Sequence, residues 1–163
     1  MTPHQAPGSG DTAPEFALRD QHGATVSLRS FRGRQDVVLV FFPFAFSGVC
    51  TAELHVLRDN LGSFEAAGAA VLGVSCDAMY SLRVFADRDG LGFPLLSDFW
   101  PHGAVAASYG VFEEDRGFPR RSTFVIDREG TVRGSVHHKL SEPREVSDYL
   151  ATLEEIDRSR TTK

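Results

Sequence analysis

Two apolar runs, over residues 37–42 and 69–75, mark the centre of the predicted fold. Neither run alternates with polar residues, and valine is frequent in both, which is typical of strands buried on both faces of a parallel sheet. Between them, leucine and phenylalanine recur at helical spacing, so we expect one amphipathic helix over residues 48–64. A strand, a helix and a second strand in this order predict a parallel β-α-β unit.

Weaker patterns on either side predict the remaining elements of an α/β fold. Residues 13–18 and 25–28 favour short strands, and the turn-forming residues 20–23 between them predict a hairpin. We expect a mobile tail over residues 1–10 and a single domain over residues 11–163. The other expected elements are a helix over 81–88, a strand over 93–96, a short helix over 103–109, a hairpin with strands 121–127 and 131–136, and a closing helix over 142–156.

Composition and charge narrow the range of partners. With 163 residues, of which 42% are hydrophobic, the chain suits one domain with a proper core. A net charge of −5 without a basic block argues against nucleic acid or an anionic membrane surface as a partner. No apolar run approaches the ~20 residues of a membrane span, and the N-terminus lacks the apolar segment of a secretory signal. We therefore expect a cytoplasmic protein.

The chain has two cysteines, which we expect to be free thiols in a reducing compartment. Cys50 lies where the first apolar strand gives way to the predicted helix, shortly after Pro43, which should end the strand. The first turn of a helix has backbone N–H groups without intrahelical partners and carries the positive end of the helix dipole. This position stabilises a thiolate, the nucleophilic form of cysteine. A buried cysteine that only fills space is the alternative, and position alone leaves both open.

The spacing Pro43-x-x-x-Ser47-x-x-Cys50, with Thr-Ala-Glu after it, resembles the active-site signature of the peroxiredoxins. The family usually has threonine at the position of Ser47, and both side chains supply the same hydroxyl. The resemblance extends from residue 13 to residue 149, and the segment 93–105 is similar to the one-cysteine, AhpE-like type. It implies a thioredoxin-like fold with an N-terminal β-hairpin extension, in three layers around a central mixed sheet.

The resemblance also implies an activity. It suggests a thiol-specific peroxidase that reduces hydrogen peroxide, organic hydroperoxides or peroxynitrite, with a cysteine sulfenic acid forming at Cys50. We expect no cofactor, and no metal, because nothing near the candidate histidine completes a metal site. A lone loop histidine such as His22 is far more often solvated than bound to a metal.

Peroxide chemistry places demands on the residues around the thiol. A thiolate that attacks a peroxide moves negative charge onto the departing oxygen, so the site needs fixed hydrogen-bond donors and positive charge. Arg121 opens a predicted strand and is followed by Ser-Thr-Phe, which matches the active-site arginine of the family. On its own it would be taken for a surface arginine at a strand end. Arg120, its neighbour, should face the opposite side of the strand.

Three further residues near Cys50 have two interpretations each. As the N-cap, Ser47 would accept a hydrogen bond from the Cys50 N–H, whereas the family places this hydroxyl against the sulfur and the peroxide. Pro43 ends the strand and, by resemblance, covers the thiol. Glu53, one helical turn from Cys50, either orients the active-site arginine or favours the helix dipole. His55 falls about 140° around the helix from Cys50, which argues against a Cys-His pair within this helix.

The second cysteine decides how the sulfenic acid is reduced. Cys76 follows the second apolar run, is not in Cys-x-x-Cys spacing with Cys50, and does not match the usual resolving positions of two-cysteine families. We favour a structural role for Cys76 over a resolving one. Cys50 would then be recycled by an external thiol or a redox protein, for which the resemblance suggests a thioredoxin-like or mycoredoxin-like reductant using mycothiol.

An apolar loop around Phe99 and Trp100 is a plausible subunit interface. Peroxiredoxins commonly form homodimers or larger rings, so the resemblance favours a homo-oligomer. The alternative is that Trp100 packs on its own core. We assign no role to His102, His137 or His138.

Two other functions use the same cysteine. A thioredoxin-like disulfide oxidoreductase is disfavoured because a Cys-x-x-Cys pair is absent from the sequence. A redox sensor or holdase-like binding protein would also contain an oxidisable Cys50, but it would react slowly with peroxide.

Overall fold

The computed structural model describes residues 5–137 and 146–161. A mixed sheet forms the centre, with its strands hydrogen-bonded in the order β2-β1-β5-β4-β3-β8-β9. β3, β4 and β5 run parallel, and the strands outside them join antiparallel. The strands are β1 (Ala17–Arg19), β2 (Thr25–Ser27), β3 (Asp36–Phe41), β4 (Ala69–Ser75), β5 (Leu95–Ser97), the small separate pair β6 (Phe112–Glu113) and β7 (Phe118–Pro119), β8 (Ser122–Ile126) and β9 (Val132–His137).

Helices cover both faces of this sheet. Within the described ranges, no helix is long and apolar enough to cross a bilayer. The helices are α1 (Gly48–Asp59), α2 (Leu61–Ala66), α3 (Met79–Asp89), α4 (Ala104–Ser108) and α5 (Val146–Thr161), and a 3₁₀ turn spans Leu28–Phe31.

The side chains of β3 alternate between two cores. Val38 and Val40 pack with buried residues of α1, α3 and α5, whereas Val37 and Leu39 pack on the other face with Ala106 of α4 and with the N-terminal segments. Every residue of β3 is buried, which explains why residues 37–41 are apolar without alternation. The molecule is therefore a three-layer α/β structure around a mixed sheet, as predicted.

The predicted helix over residues 48–64 is wrong in its length, because the chain breaks it at Asn60. The backbone of Asn60 leaves the helical region (φ −109°, ψ 10°), and α2 begins one residue later. The Asn60 side-chain amide donates to the carbonyl of Val56 at 2.8 Å. Asparagine competes in this way with the regular helical pattern, which favours a break.

The N-terminal hairpin forms, but its first strand is shorter than the predicted 13–18. Thr12 instead bridges Thr131 at the β8–β9 turn, and Pro14 has no N–H to donate to a ladder. The described part of the predicted tail also contacts β9, since the Gly10 N–H donates to the Val132 carbonyl at 2.8 Å. The mobility of the tail stays a prediction.

The other elements lie close to their predicted positions. β4 has the bounds 69–75, and β8 and β9 form the predicted hairpin. β5 begins two residues later than expected and α3 is longer than expected. The described part of the closing helix extends to residue 161, whereas residues 142–145 and His138 lie outside the described residues.

Gly103 gives a test of the packing between α4 and β6. It has φ +73°, and an added Cβ would overlap the Phe112 ring. Gly33 has almost the same backbone conformation, φ +76°, with open space around it. We expect Gly103→Ala to lower the free energy of unfolding by about 2–4 kcal/mol, through backbone strain plus overpacking. Gly33→Ala should cost only the backbone part, about 1–2 kcal/mol. Urea unfolding measures both, and equal losses would contradict the predicted overlap.

Candidate active site

Cys50 lies in the first turn of α1, at the carboxyl edge of the parallel strands. β3 delivers the chain to this edge, the buried Pro43 follows it, and residues 44–47 form a tight loop before α1 begins at Gly48. The Cys50 side chain is only 3% exposed. The thiol therefore combines the helix N-terminus with a site that largely excludes water.

Ser47 is the N-cap residue of α1, but its hydroxyl does not cap the helix. Its Oγ donates to the Phe44 carbonyl at 3.1 Å, so the predicted hydrogen bond from the Cys50 N–H to this hydroxyl is wrong. The tight turn explains the difference. Phe46 has a left-handed backbone, φ +69°, which folds the loop so that the Phe44 carbonyl comes within reach of Ser47.

A buried ion pair joins Arg121 to Glu53. β8 is antiparallel to β3 with Ser122 opposite Phe41, which places Arg121 at the same edge of the sheet as the start of α1. Glu53 lies on the buried face of α1, one turn after Cys50. Both side chains are almost fully buried, with 1% of Arg121 and 6% of Glu53 exposed. The guanidinium therefore contacts a residue one helical turn after Cys50, and Glu53 makes the contact expected of a residue that orients it.

Arg120 faces the other way, as predicted. Its side chain is exposed, its Nε lies 3.4 Å from Glu113 Oε1, and it donates to the Gly110 carbonyl at 2.6 Å. The two adjacent arginines therefore have separate surroundings.

Sequence reasoning missed Asp77. Its Oδ2 accepts a hydrogen bond from the Ala45 N–H at 2.8 Å and another from Ser75 Oγ at 2.7 Å. The carboxylate thus holds the loop that leads to Cys50. The available signal was that Asp77 follows a buried parallel strand, at the edge where the carboxyl ends of such strands meet.

Cys76 is a buried thiol in an unfavourable environment for ionisation. Burial, followed by the nearby charges of Asp98 and Asp77, raises the pKa of Cys76 to about 12. Burial also raises the pKa of Asp98 to about 6. Both cysteines are free thiols. At neutral pH Cys76 is therefore protonated, which fits the predicted structural role, while a resolving role stays untested.

Three of the six histidines have side-chain contacts that account for them without catalysis. His55 lies 3.7 Å from Asp89, and His102 Nε2 is 2.8 Å from the Gly117 carbonyl. His137 Nδ1 is 2.9 Å from Ser122 Oγ, and burial together with the charge of Arg120 lowers the pKa of His137. Over residues 5–137 and 146–161, no cluster of histidine, cysteine and acidic residues could hold a metal ion.

The apolar loop before α4 is exposed. Trp100 is 81% exposed and Phe99 is 52% exposed, so the alternative in which Trp100 packs on its own core is wrong. On the loop before Cys50, the exposed Phe44 contacts Phe118 with ring centroids 5.1 Å apart.

Three layers around a mixed sheet, with a cysteine in the first turn of the first long helix and a buried arginine–glutamate pair one turn further on, are typical of cysteine-dependent redox proteins of thioredoxin-like fold. Comparison with known proteins identifies the family. A model of the AhpC/TSA family matches residues 9–135. Alkyl hydroperoxide reductase E of Mycobacterium tuberculosis is 49% identical over 139 residues, which is 85% of this chain and 89% of the relative.

Solved structures agree with this assignment. Peroxidoxin BcpB of Mycobacterium tuberculosis superposes with a TM-score of 0.83 at 34% identity, covering 92% of this chain and 98% of that one. The reduced 2-Cys peroxiredoxin of Plasmodium vivax has a TM-score of 0.84 at 26% identity, covering 94% and 83%. The chain belongs to the AhpC/TSA family of peroxiredoxins and is a thiol-dependent peroxidase. The alternative of a redox sensor or holdase is not favoured.

Alkylation tests whether the Cys76 thiol is protonated and unreactive in the folded protein. In a Cys50→Ser background at pH 8, we expect iodoacetamide to modify Cys76 at least about tenfold more slowly in the folded protein than in urea, because a pKa of about 12 leaves little thiolate. Mass spectrometry of timed samples gives both rates. Comparable rates in the two states would show that Cys76 is reactive.

Proposed function

We propose that Cys50 is the peroxidatic cysteine and that Arg121 stabilises the charge which develops during its reaction. The observation that supports this most directly is the buried pair of Arg121 and Glu53, which fixes a guanidinium against a residue one helical turn after Cys50. The Cys50 thiolate attacks the terminal oxygen of a hydroperoxide. The S–O bond forms as the O–O bond breaks, Cys50 becomes a sulfenic acid, and the departing alkoxide or hydroxide takes a proton from solvent.

The donors in this site are held before the reaction begins. Backbone N–H groups of the first turn of α1 and the Arg121 guanidinium can stabilise the sulfur and the departing oxygen together. Glu53 is buried against Arg121 and restricts its orientation. Pro43 limits access of water to the thiol. In this proposal the Ser47 hydroxyl leaves the Phe44 carbonyl and donates to the bound peroxide, which is its role in the family signature.

The catalytic cycle closes with an external reductant. A thiol attacks the sulfenic sulfur, releases water and forms a mixed disulfide, which a second thiol then reduces. The protonated, buried Cys76 supports a one-cysteine mechanism of this kind. The reductant we propose is a low-molecular-weight thiol with a thioredoxin-like or mycoredoxin-like protein. Two free thiols suit the reducing cytoplasm, where we place the protein.

Sulfenate trapping tests the assignment of the thiol. Reduced wild type, Cys50→Ser and Cys76→Ser are treated with one equivalent of hydrogen peroxide and dimedone, and intact masses are measured. We expect rapid trapping in wild type and in Cys76→Ser, and no trapping in Cys50→Ser. A loss of two hydrogens in wild type, replaced by trapping in Cys76→Ser, would make Cys76 a resolving cysteine. Absence of reaction over minutes would refute the peroxidase assignment.

The two adjacent arginines provide a matched pair of variants. We expect Arg121→Ala to slow oxidation of Cys50 by hydrogen peroxide by about two to three orders of magnitude, because it removes a fixed donor at developing negative charge. Arg120→Ala removes the same charge from the exposed side and should change the rate by less than about twofold. Stopped-flow measurement of the second-order rate constant compares them. Equal effects of the two substitutions would show that Arg121 has no special role.

Trp100 and Phe99 support a homodimer, because exposed apolar residues of this size are typical of subunit interfaces. We expect Trp100→Ser to weaken self-association at least about tenfold, as observed when a large interface residue is truncated. Sedimentation velocity over a range of concentrations measures this. Tyr80, which is 68% exposed on α3, is the control position, and Tyr80→Ser should leave association unchanged. A wild type that is monomeric at all concentrations would refute the proposed dimer.

A further inference from the structure

The loop that carries the chain from β3 to Cys50 is held in a strained conformation. Phe46 has φ +69°, a left-handed backbone that is uncommon for a bulky residue and costs energy. Such a residue persists only where its surroundings hold it in place. The conformation of this loop therefore depends on particular contacts. Those contacts determine where α1 begins and where the Cys50 thiol lies.

Packing of the Phe46 ring and a hydrogen bond from the Ala45 backbone hold the loop. The Phe46 ring packs on Phe85 with centroids 5.0 Å apart, and the Arg88 guanidinium lies over it at 4.8 Å. One residue earlier, the Ala45 N–H donates to Asp77 Oδ2 at 2.8 Å. The aromatic contact is partly exposed, whereas Ala45 is buried, so the hydrogen bond to Asp77 is the more specific of the two.

Asp77 is itself fixed by its neighbours. Ser75 Oγ, which is fully buried, donates to the same Oδ2 at 2.7 Å, and the Asp77 carbonyl accepts from Ser97 Oγ at 2.7 Å. These contacts connect Asp77 to the ends of β4 and β5. Through the Asp77 carboxylate, the ends of these strands fix the position of Ala45, which lies five residues before Cys50.

We propose that Asp77 is a positioning residue for peroxide reduction. By accepting the Ala45 N–H, it holds residues 44–47 so that α1 begins where Cys50 and the Arg121–Glu53 pair lie on the same end of the helix. This inference rests on the proposed function of Cys50, and Asp77 acts through the loop without touching the reacting atoms. The essential feature of Asp77 is a side-chain oxygen that accepts the Ala45 N–H. Asparagine has such an oxygen and should substitute for Asp77, whereas alanine lacks it and should not.

The rates of oxidation and of alkylation of Cys50, compared between variants, distinguish a positioning role of Asp77 from a merely structural one. We expect Asp77→Ala to slow oxidation of Cys50 by hydrogen peroxide by about 10- to 100-fold, since small misplacements of reacting groups have effects of this size. Alkylation of Cys50 by iodoacetamide needs no fixed donors for a departing oxygen, so it should not slow. Asp77→Asn should stay within about threefold of wild type in both reactions.

Asp20→Ala is the control. Asp20 Oδ1 also accepts two backbone N–H groups, from His22 and Ala24, but it does so in the β1–β2 turn. We expect this variant to lose stability without losing the rate of peroxide oxidation. If Asp77→Ala fails to fold, Ser75→Ala replaces it, because it removes the hydroxyl that orients the carboxylate and should slow oxidation to an intermediate degree.

Amide hydrogen exchange at Ala45 reports on the loop independently of the reaction. We expect exchange to be at least about tenfold faster in Asp77→Ala than in wild type, and unchanged in Asp77→Asn. A lower melting temperature with unchanged oxidation would overturn the proposal, as would Asp77→Asn being as slow as Asp77→Ala. A wild type that does not react with peroxide would refute the proposed function instead, and exchange at Ala45 would still show whether Asp77 holds the loop.

Discussion

The buried ion pair between Arg121 and Glu53 is the interaction on which the site depends. Removing two charges from water is costly, and an isolated buried charge costs more still, so the pair persists only where each partner compensates the other. It joins the start of β8 to α1, one turn beyond Cys50. The same contact therefore anchors α1 to the sheet and keeps a positive charge close to the thiol.

The topology of the sheet creates this arrangement. β3 is central and fully buried, with parallel β4 on one side and antiparallel β8 on the other. The carboxyl ends of β3 and β4 and the amino end of β8 consequently meet at one edge. Cys50, Asp77 and Arg121 come from three separate parts of the sequence and reach this edge because the three strands are neighbours. Distinct environments follow for the two thiols. The Arg121–Glu53 pair lies one helical turn along α1 from Cys50, whereas burial, followed by the charges of Asp98 and Asp77, raises the pKa of Cys76.

The sequence predicted those helices and strands that are marked by a pattern of neighbouring residues. The apolar runs of β3 and β4 need no long-range information, and the position of Cys50 at a strand-to-helix junction follows from them. Arg121 was found through its resemblance to a family pattern, since nothing in its neighbours distinguishes it from Arg120. Two features depend on competition between side-chain and backbone hydrogen bonds, namely the helix break at Asn60 and the hydrogen bond from Ser47 to the Phe44 carbonyl. The spacing of apolar residues does not predict such competition. Asp77 was missed because its partner, the Ala45 N–H, is 32 residues away in sequence.

The most direct test of the coupling between Arg121 and Glu53 is a double-mutant cycle on the second-order rate constant for oxidation of Cys50 by hydrogen peroxide. Arg121→Met should slow the reaction by about a hundredfold or more, and Glu53→Gln by about tenfold or more, through the disordered guanidinium. If Glu53 acts through Arg121, the double variant will be no slower than Arg121→Met alone. Fully additive losses, or an unchanged rate in Glu53→Gln, would contradict the account.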